Sequence, residues 1–320
     1  MDNRADLPLV SIITPSFNQR AYIEKTLESV LSQDYPNIEY IVLDGGSTDG
    51  TRELLLTYAD RITLILEPDD GQADAINKGM RLATGDILAW MNSDDYYTPG
   101  AIRAAVEYLL AHPDVDFVYG DVIAIDAHER EYGVRAHVRQ VDAESLIDIC
   151  DDIVQPGTFW WARVWHTCGE LDASLHYTLD YEYWMRVAKQ FTMRYVPIVF
   201  AKERLYSSAK TFRGSLARWD EIEAVAKRHG GAGLPRSYAA EAAAAFARHG
   251  LSRLVRGHWS DARRDWARAL AFRPPPAKFF RFFGALLLFG DASLPRIWLW
   301  LNLRRQAAKA ESHLPNTIST

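Results

Sequence analysis

The first hundred residues alternate two hydrophobic patterns. Residues 9–14 form a short, β-rich apolar run that breaks at Pro15. Over 22–31 the apolar positions (Tyr22, Ile23, Leu27, Val30, Leu31, with Thr26 among them) fall at helical spacing. A second apolar strand is predicted over 38–43, ending at Asp44-Gly45-Gly46, followed by a helix over 51–58 and a third strand over 62–66. Residues 73–82 read as a helix closing near Gly85, 87–91 as a fourth strand, and Pro99 opens a helix reaching 110. Near-continuous apolar strands separated by helices predict a mostly parallel sheet covered on both faces.

Sheets of this kind bind ligands at the carboxyl ends of their strands. The polar residues fall there: Pro15-Ser16-Phe17-Asn18, Asp44-Gly45-Gly46-Ser47, Glu67-Pro68-Asp69-Asp70 and Asn92-Ser93-Asp94-Asp95. These loops are expected to build one site. Further on, 117–125 and 194–200 predict strands and 181–189 a helix. From 214 the pattern is helical and rich in Ala and Arg. Residues 261–270 resemble one helix of a tetratricopeptide unit, of which a fold needs about three.

Composition adds exclusions. The chain has 320 residues, 48% hydrophobic and 24% charged, enough for one large domain with an appendage or for two domains. A net charge of -6 gives no long-range attraction for nucleic acid, so none is expected as a partner. Cys150 and Cys168 make neither a metal-ligand spacing nor a disulfide framework, which implies a reducing, cytoplasmic location. The acid-bearing start, MDNRADLPLV, is unlike a signal peptide. The longest apolar stretch, 279–289, contains Arg281 and stops at Gly290-Asp291, short of a membrane span. Neither GxGxxG nor GxxxxGK[ST] occurs, against a dinucleotide-dependent dehydrogenase and a P-loop enzyme.

The loops carry specific chemistry. A carboxylate at a strand end, as at Asp44, can accept from the N3–H of uracil or thymine, and Gly45 and Gly46 would let a base approach the backbone. The alternative is a plain Gly-rich turn with Asp49 and Thr51 capping a helix. Gly71 and the free N–H groups of the next helix suit an anion. On that helix Gln72, Asp74 and Lys78 are either site residues or solvated surface. At Asn92-Ser93-Asp94-Asp95, a hard divalent cation, Mg²⁺ or Mn²⁺, would make a diphosphate beside carboxylates favourable.

Four segments, VSIITPSFNQ at 10–19, LDGGSTDGT at 43–51, GDILAWMNSDD at 85–95 and LDYEYWMR at 179–186, resemble the ordered motifs of the family 2 glycosyltransferases. The resemblance covers about residues 9–211. It implies an α/β GT-A fold, a Rossmann-like, mostly parallel sheet flanked by helices, over 1–212. The nucleotide-sugar half would run to about 98 and the acceptor half over about 99–212, with a helical C-terminal extension over 213–320. It implies inverting transfer from a nucleotide-sugar, most simply a UDP-sugar, to a hydroxyl of a glycan or lipid-linked acceptor in cell-surface polysaccharide synthesis. The absence of membrane spans argues against a processive synthase.

The resemblance also assigns residues. Nucleotide contacts fall on Pro15, Ser16, Phe17, Asp44, Gly46 and Ser47, with Gly71, Gln72, Asp74 and Lys78 beside nucleotide and sugar. Asn92 stands where the family usually has Asp, which leaves Asp94 as the first metal ligand and Asp95 as the second. Asn92 could still hydrogen-bond a ribose or water, and Ser93 is expected among the cofactor-binding residues. Asp180 matches the family's general base; Glu182, two residues on, is the rival on another helix face. Trp160 and Trp161, in the QPGTFWW segment, either stack on acceptor or belong to the core. Arg204 and Lys210 match a late segment that offsets diphosphate charge. Tyr206 replaces a frequent His. The aromatic and basic stretches 278–289 and 297–305 suit a peripheral membrane contact, or packing on the catalytic domain or a second copy. A nucleotidyltransferase would carry a Gly-rich basic loop where PSFNQR stands. A non-catalytic binding protein has no need of both Asp94 and Asp180.

Overall fold

The computed structural model describes residues 7–134, 140–149, 153–206, 209–210, 215–256 and 258–272. They fall into two compact units. One takes Met1–Arg204 with Arg218–Arg236, the other Leu205–Ala217 with Ser237–Thr320. The expected boundary at 212 lies inside the short 205–217 stretch that groups with the second unit.

The first unit is built on a nine-stranded sheet. Its parallel half comprises β1 (Val10–Ser16), β2 (Ile38–Asp44), β3 (Thr63–Leu66) and β4 (Ile87–Trp90). The order is β3-β2-β1-β4, all parallel. Every residue of β1 and β4 is buried, which is why both read as unbroken apolar runs. The chain leaves β1 toward β2 on one side and returns from β3 to β4 on the other. The crevice above the carboxyl ends of β1 and β4 is therefore the switch point where such sheets bind ligands.

Helices cover this half: α1 (Ile23–Leu31), α2 (Thr51–Leu56), α3 (Gln72–Leu82) and α4 (Ala101–Ala111). On α1 the buried residues Ile23, Thr26, Leu27 and Val30 recur at helical spacing. Gly71 precedes α3 at φ 111°, a conformation that side-chain-bearing residues rarely adopt. α4 starts after Gly100, two residues later than Pro99 suggested.

The second half is mixed. β5 (Tyr96–Tyr97), β6 (Phe117–Ile125), β7 (Glu131–Val134), β8 (Thr158–Trp161) and β9 (Met193–Arg204) extend the sheet as β4-β8-β6-β9-β5, with β7 on β6. β8 is antiparallel to β4 and β6. The strand expected over 194–200 continues to Arg204 because β6 pairs with it up to Ile125–Arg204 and β5 covers part of its other edge. Helices α5 (Ala143–Asp148), α6 (Ala162–Cys168) and α7 (Leu179–Ala188) complete this half. α5 rests on a capping box between Asp142 and Ser145.

Trp90, Phe117, Trp160, Tyr183 and Trp184 are all fully buried in one aromatic cluster. Trp90 stacks on Trp184 at 5.3 Å and 9°, and Phe117 on Trp160 at 5.4 Å and 8°. Trp160 is thus a core residue, while Trp161 is partly buried with the Arg163 guanidinium 5.4 Å from its ring. The stack ties β4, which runs into the 92–95 loop, to α7, which begins with Leu179-Asp180.

α8 (Ser215–Arg228) follows, most of it grouped with the first unit. In the second unit α9 (Ala239–Val255) and α10 (Trp259–Ala271) pack together. The buried Asp265 joins them, accepting from Arg253 at 3.1 Å and pairing with His249 at 2.8 Å. Among the described residues no helix is long and apolar enough to cross a membrane. The aromatic and basic stretches 278–289 and 297–305 lie outside the described residues.

Candidate active site

The loops at the strand ends are joined directly. Asn18, at φ 52°, donates its N–H to Ser47 Oγ at 2.7 Å and accepts from Thr48 N at 2.9 Å. Gln19 N and Arg20 N donate to Thr51 Oγ1 and Asp49 Oδ2, each at 3.0 Å. These bonds fasten the β1 loop to the β2 loop. Gln72 Nε2 donates to Asn92 Oδ1 at 2.8 Å, joining the start of α3 to the β4 loop. A Cβ at Gly45 would lie 2.2 Å from Asp69 Oδ2, so the β2 and β3 loops touch. Asp69 lies over Gly45 and leaves no room there for a Cβ. Asp69 also accepts from Gly71 N at 2.9 Å, and burial pushes its pKa up.

Asp44 is only 1% exposed. Its carboxylate accepts from Gly46 N at 3.2 Å, Ser47 N at 2.8 Å and Ser47 Oγ at 2.6 Å. In this conformation it shapes its own turn. Gly46, at φ 99°, and Ser47 complete that turn. Pro15 is buried, and the buried Ser16 hydroxyl has no hydrogen-bond partner among the described residues. Phe17 is 59% exposed, an aromatic face held at the mouth of the crevice.

On α3, Asp74 and Lys78 pair with one another at 2.8 Å, and Lys78 Nζ also donates to Pro68 O at 3.1 Å. The lysine hydrogen bond, reinforced by Asp70 N, holds the Asp74 carboxyl below its ordinary range.

The β4 loop is anchored on all sides. From α1, Thr26 Oγ1 donates to Ser93 O at 3.1 Å and Asp95 O at 2.7 Å. Asp95 is 3% exposed, accepts from Arg204 N at 2.8 Å, and lies 3.4 Å from Asn92 Nδ2. Burial, then the charges of Asp94 and Glu203, push its pKa well up. Asp94 is partly exposed, whereas Ser93 is buried. These carboxylates repel one another, and hard oxygen donors in that state suit a divalent cation. Among the described residues no group of three His, Cys, Asp or Glu is placed to hold an ion by itself. Asp94 and Asp95 offer carboxylate oxygens of the kind that Mg²⁺ or Mn²⁺ takes beside phosphate and water.

Arg204 is 4% exposed and directed into the protein. Its Nε donates to Asp94 O at 3.1 Å and its Nη1 to Asp126 O at 3.2 Å. It therefore does not stand open toward the crevice as its charge suggested. Lys210 is partly exposed and belongs to the second unit.

Asp180 sits in the first turn of α7, partly exposed, with Oδ1 accepting from Tyr181 N at 2.8 Å. The segment before it is held by Glu221 of α8. That carboxylate accepts from His176 N at 3.0 Å, Tyr177 N at 2.6 Å, Thr178 N at 2.8 Å and Thr178 Oγ1 at 2.8 Å. Glu182 is engaged otherwise. It is 4% exposed, pairs with Arg186 at 2.9 Å and lies 3.2 Å from His229 Nε2. Burial alone would raise its pKa, but the His229 hydrogen bond and the Arg186 charge hold it below the ordinary range. Of the two carboxylates, Glu182 is committed to packing.

Sequence reasoning missed Asn18, Thr26, Asp69 and Glu221 as residues that assemble the site. Asn18 and Asp69, inside loops already placed at strand ends, carried a signal; Thr26 and Glu221 carried none.

Comparison with known proteins gives the same direction. The model for glycosyl transferase family 2 matches residues 11–167. An uncharacterized glycosyltransferase of Rickettsia typhi is 31% identical over 225 residues, 68% of this chain and 70% of that protein. The putative teichuronic acid biosynthesis glycosyltransferase TuaG of Bacillus subtilis is 43% identical over 107 residues, 32% of this chain and 42% of that one. Among solved structures, residues 1–349 of S. aureus TarS in complex with UDP-GlcNAc superpose with a TM-score of 0.58 at 15% identity, covering 94% of this chain and 92% of that one.

Proposed function

Since the chain belongs to family 2 of the glycosyltransferases, we propose that it transfers a sugar from a UDP-sugar, with inversion, to a hydroxyl of a glycan or lipid-linked acceptor in cell-surface polysaccharide synthesis. The observation that carries this reading is the joining of the four loops at the switch point: Asn18 to Ser47 and Thr48, Gly45 to Asp69, and Gln72 to Asn92. One preformed crevice results, with an exposed aromatic (Phe17), two turns rich in N–H groups and a carboxylate loop.

In the proposed arrangement the base stacks on Phe17 and lies on the turn that Asp44 shapes. The N–H groups at the start of α3, after Gly71, face the diphosphate. Asp94 holds a divalent cation, with Asp95 behind it, and that cation when bound supplies the positive charge that stabilises the departing diphosphate. Asp180 accepts the proton of the acceptor hydroxyl. The acceptor oxygen then bonds to the anomeric carbon as the bond to the diphosphate breaks. A single displacement of this kind inverts the anomeric centre. The UDP preference draws support from the fold shared with TarS, whose structure holds UDP-GlcNAc. The acceptor class draws support from the likeness to TuaG.

Thermal stability in UDP, GDP, CDP and dTDP, each with and without Mn²⁺, tests the reading. A ligand at about 100 times its dissociation constant should stabilise by about 2.7 kcal/mol. The expected result is a Mn²⁺-dependent shift with UDP. A wild-type protein that responds to none of these nucleotides contradicts the donor site, and a response only to GDP contradicts the UDP assignment.

A further inference from the structure

We propose that Arg204 is a positioning residue for the 92–95 loop, holding the main chain that aims Asp94 at the cation rather than touching the diphosphate. The inference rests on the metal-dependent donor site proposed above.

Arg204 ends β9, opposite Ile125 of β6. Its main-chain N–H donates to Asp95 Oδ1 at 2.8 Å, and its Nε to Asp94 O at 3.1 Å. One residue thus grips the loop at both carboxylate-bearing positions, once by main chain and once by side chain. The rest of the guanidinium faces the β6–β7 turn. Nη1 donates to Asp126 O at 3.2 Å and lies 3.5 Å from Ala127 O, while Nη2 lies 3.4 Å from Glu129 Oε1. That turn is itself organised by Asp126. Its carboxylate accepts from His128 N at 2.8 Å, Arg130 N at 3.0 Å and Arg130 Nε at 2.7 Å. The guanidinium also lies 4.6 Å from the Tyr22 ring and 5.9 Å from the Tyr96 ring.

All its nitrogens therefore meet protein acceptors, and its side chain is 3% exposed. The guanidinium is turned toward carbonyls and Glu129, away from solvent. From the far side Thr26 grips Ser93 O and Asp95 O. The loop is clamped between α1 and β9, which fixes the main chain that carries Asp94. The planar fork of arginine reaches Asp94 O and Asp126 O at once, and a lysine, with its donors on one atom, cannot. Partners that orient a metal ligand are typically worth about 10–100-fold in metal affinity.

The test is a Mn²⁺ titration of full-length wild type and Arg204→Lys at fixed UDP, with GDP in parallel, read by thermal shift. UDP binding in EDTA is measured beside it. The expected result is a half-saturating Mn²⁺ raised about tenfold in Arg204→Lys, with metal-free UDP binding changed less than about twofold. A direct phosphate contact would instead weaken metal-free UDP binding as much as metal-dependent binding, and that result overturns the proposal. An unchanged half-saturation in a folded Arg204→Lys also overturns it. If Arg204→Lys does not fold, the same titration is read on Tyr22→Leu, which removes the stacked ring. A rise in half-saturating Mn²⁺ is then expected as well, and no rise overturns the proposal. A wild-type protein without any Mn²⁺-dependent nucleotide response removes the donor site and this proposal together. Selective loss in the variants alone distinguishes the two.

Discussion

Replacing Glu182 by Gln tests the proposal that Asp180, and not Glu182, is the base carried by α7. Glu182 has 6% side-chain exposure and Arg186 22%, so their 2.9 Å pair lies largely out of water. Breaking a buried pair by removing one partner costs about 3–5 kcal/mol. Arg186 retains the carbonyls of Cys168 and Glu170 as acceptors, the latter at 2.8 Å, and Gln can still accept one hydrogen bond. The expected loss is therefore smaller, about 2 kcal/mol. For a catalytic unit of this size that is a fall in Tm of about 4–8 °C at pH 7. The pH dependence has a definite sign. The folded-state pKa of Glu182 is lowered, so its contribution is present above the unfolded carboxyl value and lost as pH falls through the folded one. The gap in Tm between wild type and Glu182→Gln should narrow below about pH 4. Differential scanning calorimetry from pH 3 to 8 reads both effects. Sugar transfer per folded molecule should stay within a few-fold of wild type. An unchanged Tm together with abolished transfer would instead make Glu182 the base.

Other substitutions probe the site from different sides. Gly45→Ala places a Cβ 2.2 Å from Asp69 Oδ2 and drives that carboxylate off Gly71 N, so nucleotide-induced thermal stabilisation should fall, with a cost of about 1–3 kcal/mol to the free protein. Gly79→Ala places one 2.5 Å from Ile13 Cγ2 under α3, where overpacking should cost about 1–3 kcal/mol by denaturant titration. Glu221→Ala unties the 176–178 segment, so transfer should fall while Mn²⁺-dependent UDP binding, read by thermal shift, stays close to wild type.

The parallel half of the sheet was legible because its central strands, β1 and β4, are buried along their whole length and leave near-continuous apolar runs, with polar residues following at their carboxyl ends. β8 was not legible. Residues 158–161 look like a loop with two tryptophans until Trp160 is seen packed against Phe117 and Trp90. The two-residue β5 has too little sequence for any period, and α5 is set by the Asp142–Ser145 box rather than by an apolar stripe. At the site, residue type revealed charge but not its partner. Arg204 reads as a phosphate cation in sequence, yet its main acceptors are carbonyls, which carry no side-chain signature. Asp180 and Glu182 are indistinguishable as carboxylates. Of the partners that commit Glu182, Arg186 is four residues on and within a local pattern, whereas His229 is 47 residues away and beyond one.

The most direct test of the account is Asp180→Asn assayed side by side for nucleotide binding and for sugar transfer from UDP-sugars. With Asp180 as the base, Tm and the Mn²⁺-dependent shift with UDP should be unchanged and transfer reduced by about 10²–10⁴-fold. Transfer at the wild-type rate in a variant that still binds UDP would contradict that role.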